Sequence, residues 1–600
     1  MAFCRTAAAV LLSVTVLALA PALTAAARDT KSSPAPGWAA DVPDVAALVD
    51  LARGESDLRT AVIRYVEDKA AIERRYPVLH SPVRTERLRR LHAGWQERLE
   101  ALDFDALNAE GQVDYILLRN RIAHDLEGLR LAERNFREVS PLVPFGDAIR
   151  ELEEQRLDRE RVDARAAAGL LASIAETAGR LTAALEAGEA PHAVSPVVAM
   201  RASEYLEHLR ETLANWHAFY DGYDPVFTWW MKKPQAAADS GIAAYAAAIR
   251  ERLVGIEAGK PPPIVGDPVL AEGLQADLAV EMIPYSAQEL IRIGEREFEW
   301  IVNELETVAR DMGFGDDWKA ALEHTKNLAP PPGEIPWVLY DIASYSEAFI
   351  ERMNVIDLPP LSREIWRFTM QTPERQLVNP FFSGGEVTHV SYPTDGMEHD
   401  QKMMSMRGNT PHFNFPTVQH ELVPGHHLQS FMYRRFNSHR AALNRTPFWQ
   451  EGWALYWEFV LWDRDFARND ADKVGMLFWR LHRAGRIVFS LNFQLGNWSP
   501  RECVDFLVNE VGHERANAEA EVRRTARDAP LYQAAYMLGA LQIRALHREL
   551  VASGRMSEDF HNGFLLGGPM PVEMARARLA GLPLSRDYGS QWRFYGDPGN

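Results

Sequence analysis

Residues 164–186 read ARAAAGLLASIAETAGRLTAALE, with apolar side chains recurring at steps of three and four. That spacing stacks them along one stripe of an α-helix, whereas a half-buried strand would alternate at every second residue. Residues 113–131, VDYILLRNRIAHDLEGLRL, repeat the pattern, and such amphipathic stretches dominate the chain on either side. The expected fold is mainly α. Pro/Gly-rich breaks at 260–268 and 328–336 interrupt the helices. They read as loops or lobe junctions inside one large domain, residues 44–600, and not as boundaries between independent domains. No internal repeat or low-complexity tract is evident.

The chain has 600 residues, 47% hydrophobic and 25% charged, which suits a large globular protein and excludes a disordered one. Its 83 acidic against 65 basic residues give a net charge of -18. Such a field repels polyanions, so nucleic acid is not an expected partner.

The N-terminus, residues 1–27, reads as a signal peptide. A short start containing Arg5 precedes an apolar run from Thr6 to Thr24, and Ala25-Ala26-Ala27 stands ahead of Arg28. A retained membrane anchor is the alternative; Pro21 and the small residues that end the run favour cleavage near Ala27. Export to the periplasm or the exterior is then expected, with residues 28–43 as a linker. No later stretch is apolar enough to span a bilayer. Cys4 would leave with the leader, and Cys503 alone cannot form an internal disulfide, so stability must come from the core.

One stretch breaks the helical pattern. Residues 381–392, FFSGGEVTHVSY, mix glycine with β-branched and aromatic residues and suit a short strand or hairpin. A strand there could offer a free edge to an extended peptide or could be an ordinary buried hairpin.

Just downstream, residues 420–429 read HELVPGHHLQ, after Phe415-Pro416-Thr417 as a helix start. The segment is similar to the zinc motif H-E-x-x-H, in which histidines four apart share a helix face and the adjacent glutamate activates water. Here position 424 is proline and the next histidines are 426 and 427. Six residues along a regular helix turn a side chain about 120° away, so His420 and His426 can share a metal only if Pro424-Gly425 distorts the backbone. His427 keeps the same side but lies about 10 Å further along the axis. His426 is preferred as the second ligand, with His427 as the alternative.

Residues 451–458, EGWALYWE, supply a third candidate. The apolar and aromatic neighbours of Glu451 would bury its carboxylate, which then needs a compensating partner such as zinc. Its other reading is an acid in the first helical turn, favoured by the helix dipole. Glu458 either supports a ligand from behind or is solvated.

The H-E-x-x-P-G-H segment at 420–426, E-G-W-A at 451–454 and AAYMLGALQI, which contains Tyr536 and Gly539, resemble the domain-of-unknown-function 885 family, grouped with gluzincin-type metallopeptidases. Weaker likeness at LDFDALNAEGQVDYILLRN (102–120) and HNGFLLGGPMP (561–571) extends it over most of the chain. The resemblance implies a helical, peptidase-like fold with a deep channel and a small β-hairpin or sheet beside the metal helix. It also implies zinc on His420, His426 and Glu451, Glu421 as general base and Tyr536 as a donor to the oxyanion. Read alone, Tyr536 shares a helical face with Tyr532 and suits the core.

Two departures stand out. Gln494 replaces a histidine that relatives tend to carry before Gly-Trp, and Pro530-Leu531-Tyr532-Gln533 replaces Pro-Gly-Gln-Ala. The expected activity is zinc-dependent hydrolysis of short unfolded peptides. The departure at Gln494 motivates an alternative, an exported protein that binds peptides without cutting them. Arg523, Arg524 and Arg527 either hold a substrate carboxylate or form a solvated basic face.

Overall fold

A computed structural model describes Val45, Leu48, Leu51, Ala52 and residues 54–189, 194–257, 263–376, 384–444, 446–526, 529–554 and 559–596. The expected leader and linker, Cys4, Arg527 and residues 381–383 lie outside the described residues.

The helical periodicity builds two hydrophobic cores. The smaller one joins α2 (Ala164–Glu186), α3 (Pro196–Tyr220) and α4 (Pro234–Ile249), with Leu171, Leu206, Leu209 and Ile242 wholly buried. Each of the first two helices starts on a side-chain cap: Asp163 accepts from the N–H groups of Arg165 and Ala166, and Ser195 from that of Val198. α1 (Ala109–Val139) connects this core to the larger one, contributing Ile116, Leu118 and Ile122 to the large core and Val139 to the small. The large core also takes residues from Leu274 to Phe594. Leu322 and Leu339, on either side of the break at 328–336, both belong to it.

The large core holds α5 (Ala287–Asp311), α6 (Pro411–Glu421), α7 (His426–Tyr433), α8 (Pro447–Trp462), α9 (Asp470–Gln494) and α10 (Tyr532–Ala552). α9 is its axle: residues 474–491 are buried throughout, and α5, α6 and α10 all pack on it. No helix among the described residues is long and apolar enough to cross a membrane.

The β structure differs from a hairpin. Strand β1 (Arg367–Met370) pairs with β2 (Val387–Val390) in parallel, Arg367 opposite Val387. Parallel strands cannot be joined by a tight hairpin turn. β2 falls within the stretch whose composition suggests a strand. Its partner comes from upstream of that stretch.

The helix before the histidines also starts earlier than Phe415. Thr410 caps α6 by accepting from the Phe413 N–H at 3.3 Å, and Pro411 fills the first helical position, where a missing donor costs nothing. Pro416 therefore sits inside the helix.

Candidate metal centre

α6 stops at Glu421 and α7 starts afresh at His426, so the Pro-Gly element separates two helices and does not bend one. The chain between them turns through a cis Val423–Pro424 peptide. Gly425 folds back on the end of α6: its N–H donates to Gln419 O at 3.0 Å, and a Cβ there would lie 1.8 Å from His420 O. Only glycine fits this approach. Trp453 of α8 fixes the turn from outside, its indole N–H donating to Pro424 O at 2.8 Å.

α8 and α10 bring in the remaining groups. They meet backbone to backbone, because a Cβ on Gly452 would lie 2.6 Å from the Gly539 carbonyl carbon and one on Gly539 would lie 2.3 Å from Phe448 O. This crossing brings Glu451 of α8 against Tyr532 of α10, whose hydroxyl donates to Glu451 Oε1 at 2.7 Å. The E-G-W triplet thus divides its labour: the acid faces the site, the glycine admits α10 and the tryptophan holds the Pro-Gly turn.

The reset between α6 and α7 brings His420 and His426 together. Glu451 Oε2 lies 3.0 Å from His426 Nε2 and 3.6 Å from His420 Nε2. Ligand atoms about 2.0–2.1 Å from a tetrahedral zinc stand about 3.3 Å apart, between those two distances. Glu421 completes the group, its carboxylate and the two imidazoles offering ligand atoms within 4.8 Å of one another. The local field favours a cation. Burial alone would lower His426, but the neighbouring Glu451 carboxylate outweighs it and lifts the imidazole to about 9. Burial likewise opposes ionisation of Glu451, yet His426 and His420 hold it well below the usual carboxylate range.

Behind the candidate ligands, Glu458 Oε1 stands 2.9 Å from His420 Nδ1, the kind of carboxylate support that a metal-bound histidine uses. Glu421 is oriented by the backbone: the Gly384 N–H, next to β2, donates to its Oε2 at 2.6 Å. Two nitrogens and one carboxylate oxygen, with a carboxylate beside them, match the donor set of catalytic zinc sites. His420, His426 and Glu451 would hold the ion.

The other sequence candidates divide. Tyr536 reaches the site, its ring stacked on His420 at 6.2 Å, and its hydroxyl lies 3.5 Å from that of Tyr532. Burial raises both phenols, which therefore stay protonated donors. His427 does not reach it, because the first turn of α7 points its Nε2 at Ser362 O, 2.6 Å away. Gln494 is also elsewhere, at the far end of α9, where it accepts from the Val269 N–H at 3.1 Å. Arg523 leans towards Pro263 O, while Arg524 lines the cavity over the Tyr532 ring.

The triad opens into a cavity of about 620 Å³. Its far wall, from α9 and the helix Arg515–Thr525, carries His482, Arg483, Arg486 and Glu521. Sequence reading missed this wall. The available signal was the run WRLHRAGR at 479–486, which sets three arginines and a histidine in an otherwise apolar helix.

The family described as bacterial protein of unknown function (DUF885) matches residues 65–579. The chain belongs to the DUF885 family. No curated protein matches it. Among solved structures, the DUF885 chain shares its fold with a presumed lipoprotein of unknown function from Shewanella oneidensis, at a TM-score of 0.64 and 14% identity over 86% of this chain and 98% of that one. A presumed lipoprotein from Colwellia psychrerythraea aligns at a TM-score of 0.55 and 16% identity, over 87% and 98% of the two chains.

Proposed function

We propose that this DUF885 protein is an exported, zinc-dependent peptidase acting on short, unfolded peptides. The observation that carries the reading is the convergence of His420, His426 and Glu451 on one point at the cavity, with Glu421 beside them. Export is supported by the leader-like N-terminus and by the two structural neighbours, both described as presumed lipoproteins.

Zinc bound there would polarise the scissile carbonyl and acidify a water molecule. Glu421 takes the proton as the water oxygen bonds to the carbonyl carbon, then delivers it to the amine nitrogen as the C–N bond breaks. Gly384 holds Oε2 of that carboxylate, and Oε1 has no protein partner among the described residues. Tyr536, kept protonated by burial, supplies a donor to the developing oxyanion, while the Tyr532 hydroxyl donates to Glu451. Gln494, the reason for the binding-only alternative, is outside the cavity and lends that alternative no support.

The test is mass-spectrometric detection of new termini in a peptide mixture incubated with purified protein and zinc. Wild-type protein should cut, and Glu421→Gln should retain zinc while losing about 10²–10⁴-fold in rate. No new termini from zinc-loaded wild type would sink the peptidase reading.

A further inference from the structure

The far wall of the cavity carries positive charge that the hydrolytic step does not use. Arg483 and Arg486, three residues apart on α9, both line it and are only 4% and 6% exposed. Buried guanidinium groups are costly unless countered. On this wall Glu521 pairs with Arg486 and faces Arg524, and Glu458 of α8 stands 3.4 Å from Arg483, so three guanidinium groups meet two acids in a chain whose overall charge is -18.

Arg486 donates from Nε to Glu521 Oε1 at 2.6 Å, and among the described residues that is its only hydrogen bond. Its two terminal nitrogens are left as a planar fork, the geometry that grips a carboxylate through two parallel bonds. Arg483 donates weakly to Glu458 at 3.4 Å and to Trp479 O at 3.3 Å, and its buried Nε has no partner. His482 and His513 lie beside them, 2.8 Å apart. Burial keeps both neutral, lowering His513 to about 4, so they add hydrogen-bonding capacity without charge.

One ring separates this wall from the ligands. The Arg486 guanidinium sits 4.5 Å from the centre of Tyr536, and His420 stacks against that phenol with centres 6.2 Å apart. A peptide advances about 3.3–3.6 Å per residue, so the gap suits one or two residues.

We infer that Arg486, with Arg483 beside it, binds the C-terminal carboxylate of a peptide whose final one or two residues occupy the cavity. The protein would then release residues from the carboxyl end. This rests on the peptidase reading for the cutting step, although carboxylate binding stands without it.

The experiment compares one peptide in three forms: free C-terminal acid, C-terminal amide, and the amide with glutamate as last residue. Turnover is read by mass spectrometry with zinc-loaded wild type, and binding by calorimetry with zinc-loaded Glu421→Gln. The free acid should lead the plain amide by about 10–100-fold in kcat/KM and in affinity. Combining Arg486→Gln with Glu421→Gln should erase the affinity difference, and Arg486→Lys should restore part of it. Equal handling of acid and amide, or a preference that survives Arg486→Gln, would overturn the inference while leaving the peptidase intact. A glutamyl amide as good as the acid would overturn the terminal assignment in favour of an acidic side chain. Arg486-dependent binding of the acid without cleavage by wild type would support the subsite and defeat the peptidase reading.

Discussion

Glu458 meets the Nδ1 of His420 at 2.9 Å, while Glu451, seven residues earlier on the same helix, faces the Nε2 at 3.6 Å. Two turns of helix put both acids on one face, so a single element clasps both edges of one imidazole. By accepting from Nδ1–H, Glu458 fixes the tautomer whose Nε2 lone pair is free for a metal. Glu458→Gln should weaken zinc binding about 10–100-fold with the fold preserved, read by competition with a coloured chelator. An unchanged affinity would remove the supporting role.

The two adjacent histidines should behave as opposites. His426→Ala takes away a proposed ligand, and metal analysis of the purified variant should find zinc lost. His427→Ala leaves the buried Ser362 carbonyl without its donor, costing about 1–3 kcal/mol of stability, yet the variant should bind zinc at wild-type stoichiometry. Zinc lost from the second variant and kept by the first would reverse the ligand assignment.

Replacing glycine by alanine inside a helix ordinarily stabilises by about 0.5–1 kcal/mol. Gly539→Ala should do the reverse, because the new Cβ would sit 2.3 Å from Phe448 O. Overpacking of this kind costs about 1–3 kcal/mol and outweighs the propensity gain. The urea midpoint should fall, and a rise would show that the crossing can relax.

Glu281 governs a pH dependence away from the metal centre. It hydrogen-bonds Thr446, the cap of α8, and burial pushes its carboxyl from 4.5 up to about 8. Between these values the folded chain holds a proton that the unfolded chain has released, so stability falls as pH rises from 4.5 to 8. Glu281→Gln removes that titration. Denaturation across this range should show the variant gaining on wild type with rising pH, and parallel curves would refute the shift.

Much of the candidate centre is legible because most of its residues stand close together in sequence. His420, Glu421 and His426 lie in one short segment, and Glu451 announced itself by sitting among aromatic residues. The break between α6 and α7 was only half legible: Pro424 and Gly425 mark a disruption, but a kink and a full reset leave the same letters. The cap at Thr410-Pro411 is written in the sequence, but Phe415-Pro416-Thr417 carries the same helix-start signal five residues later. The pairing of β1 with β2, the Ser362 contact of His427 and the arginine wall depend on packing between distant segments. No local periodicity encodes them.

At the crossing of Gly452 and Gly539 there is no cushion of side chains to take up shear. Main chain bears directly on main chain, so Glu451 and the two phenols are carried as if on one strut. Any shift of Glu451 relative to the paired imidazoles would then have to move α8 and α10 together.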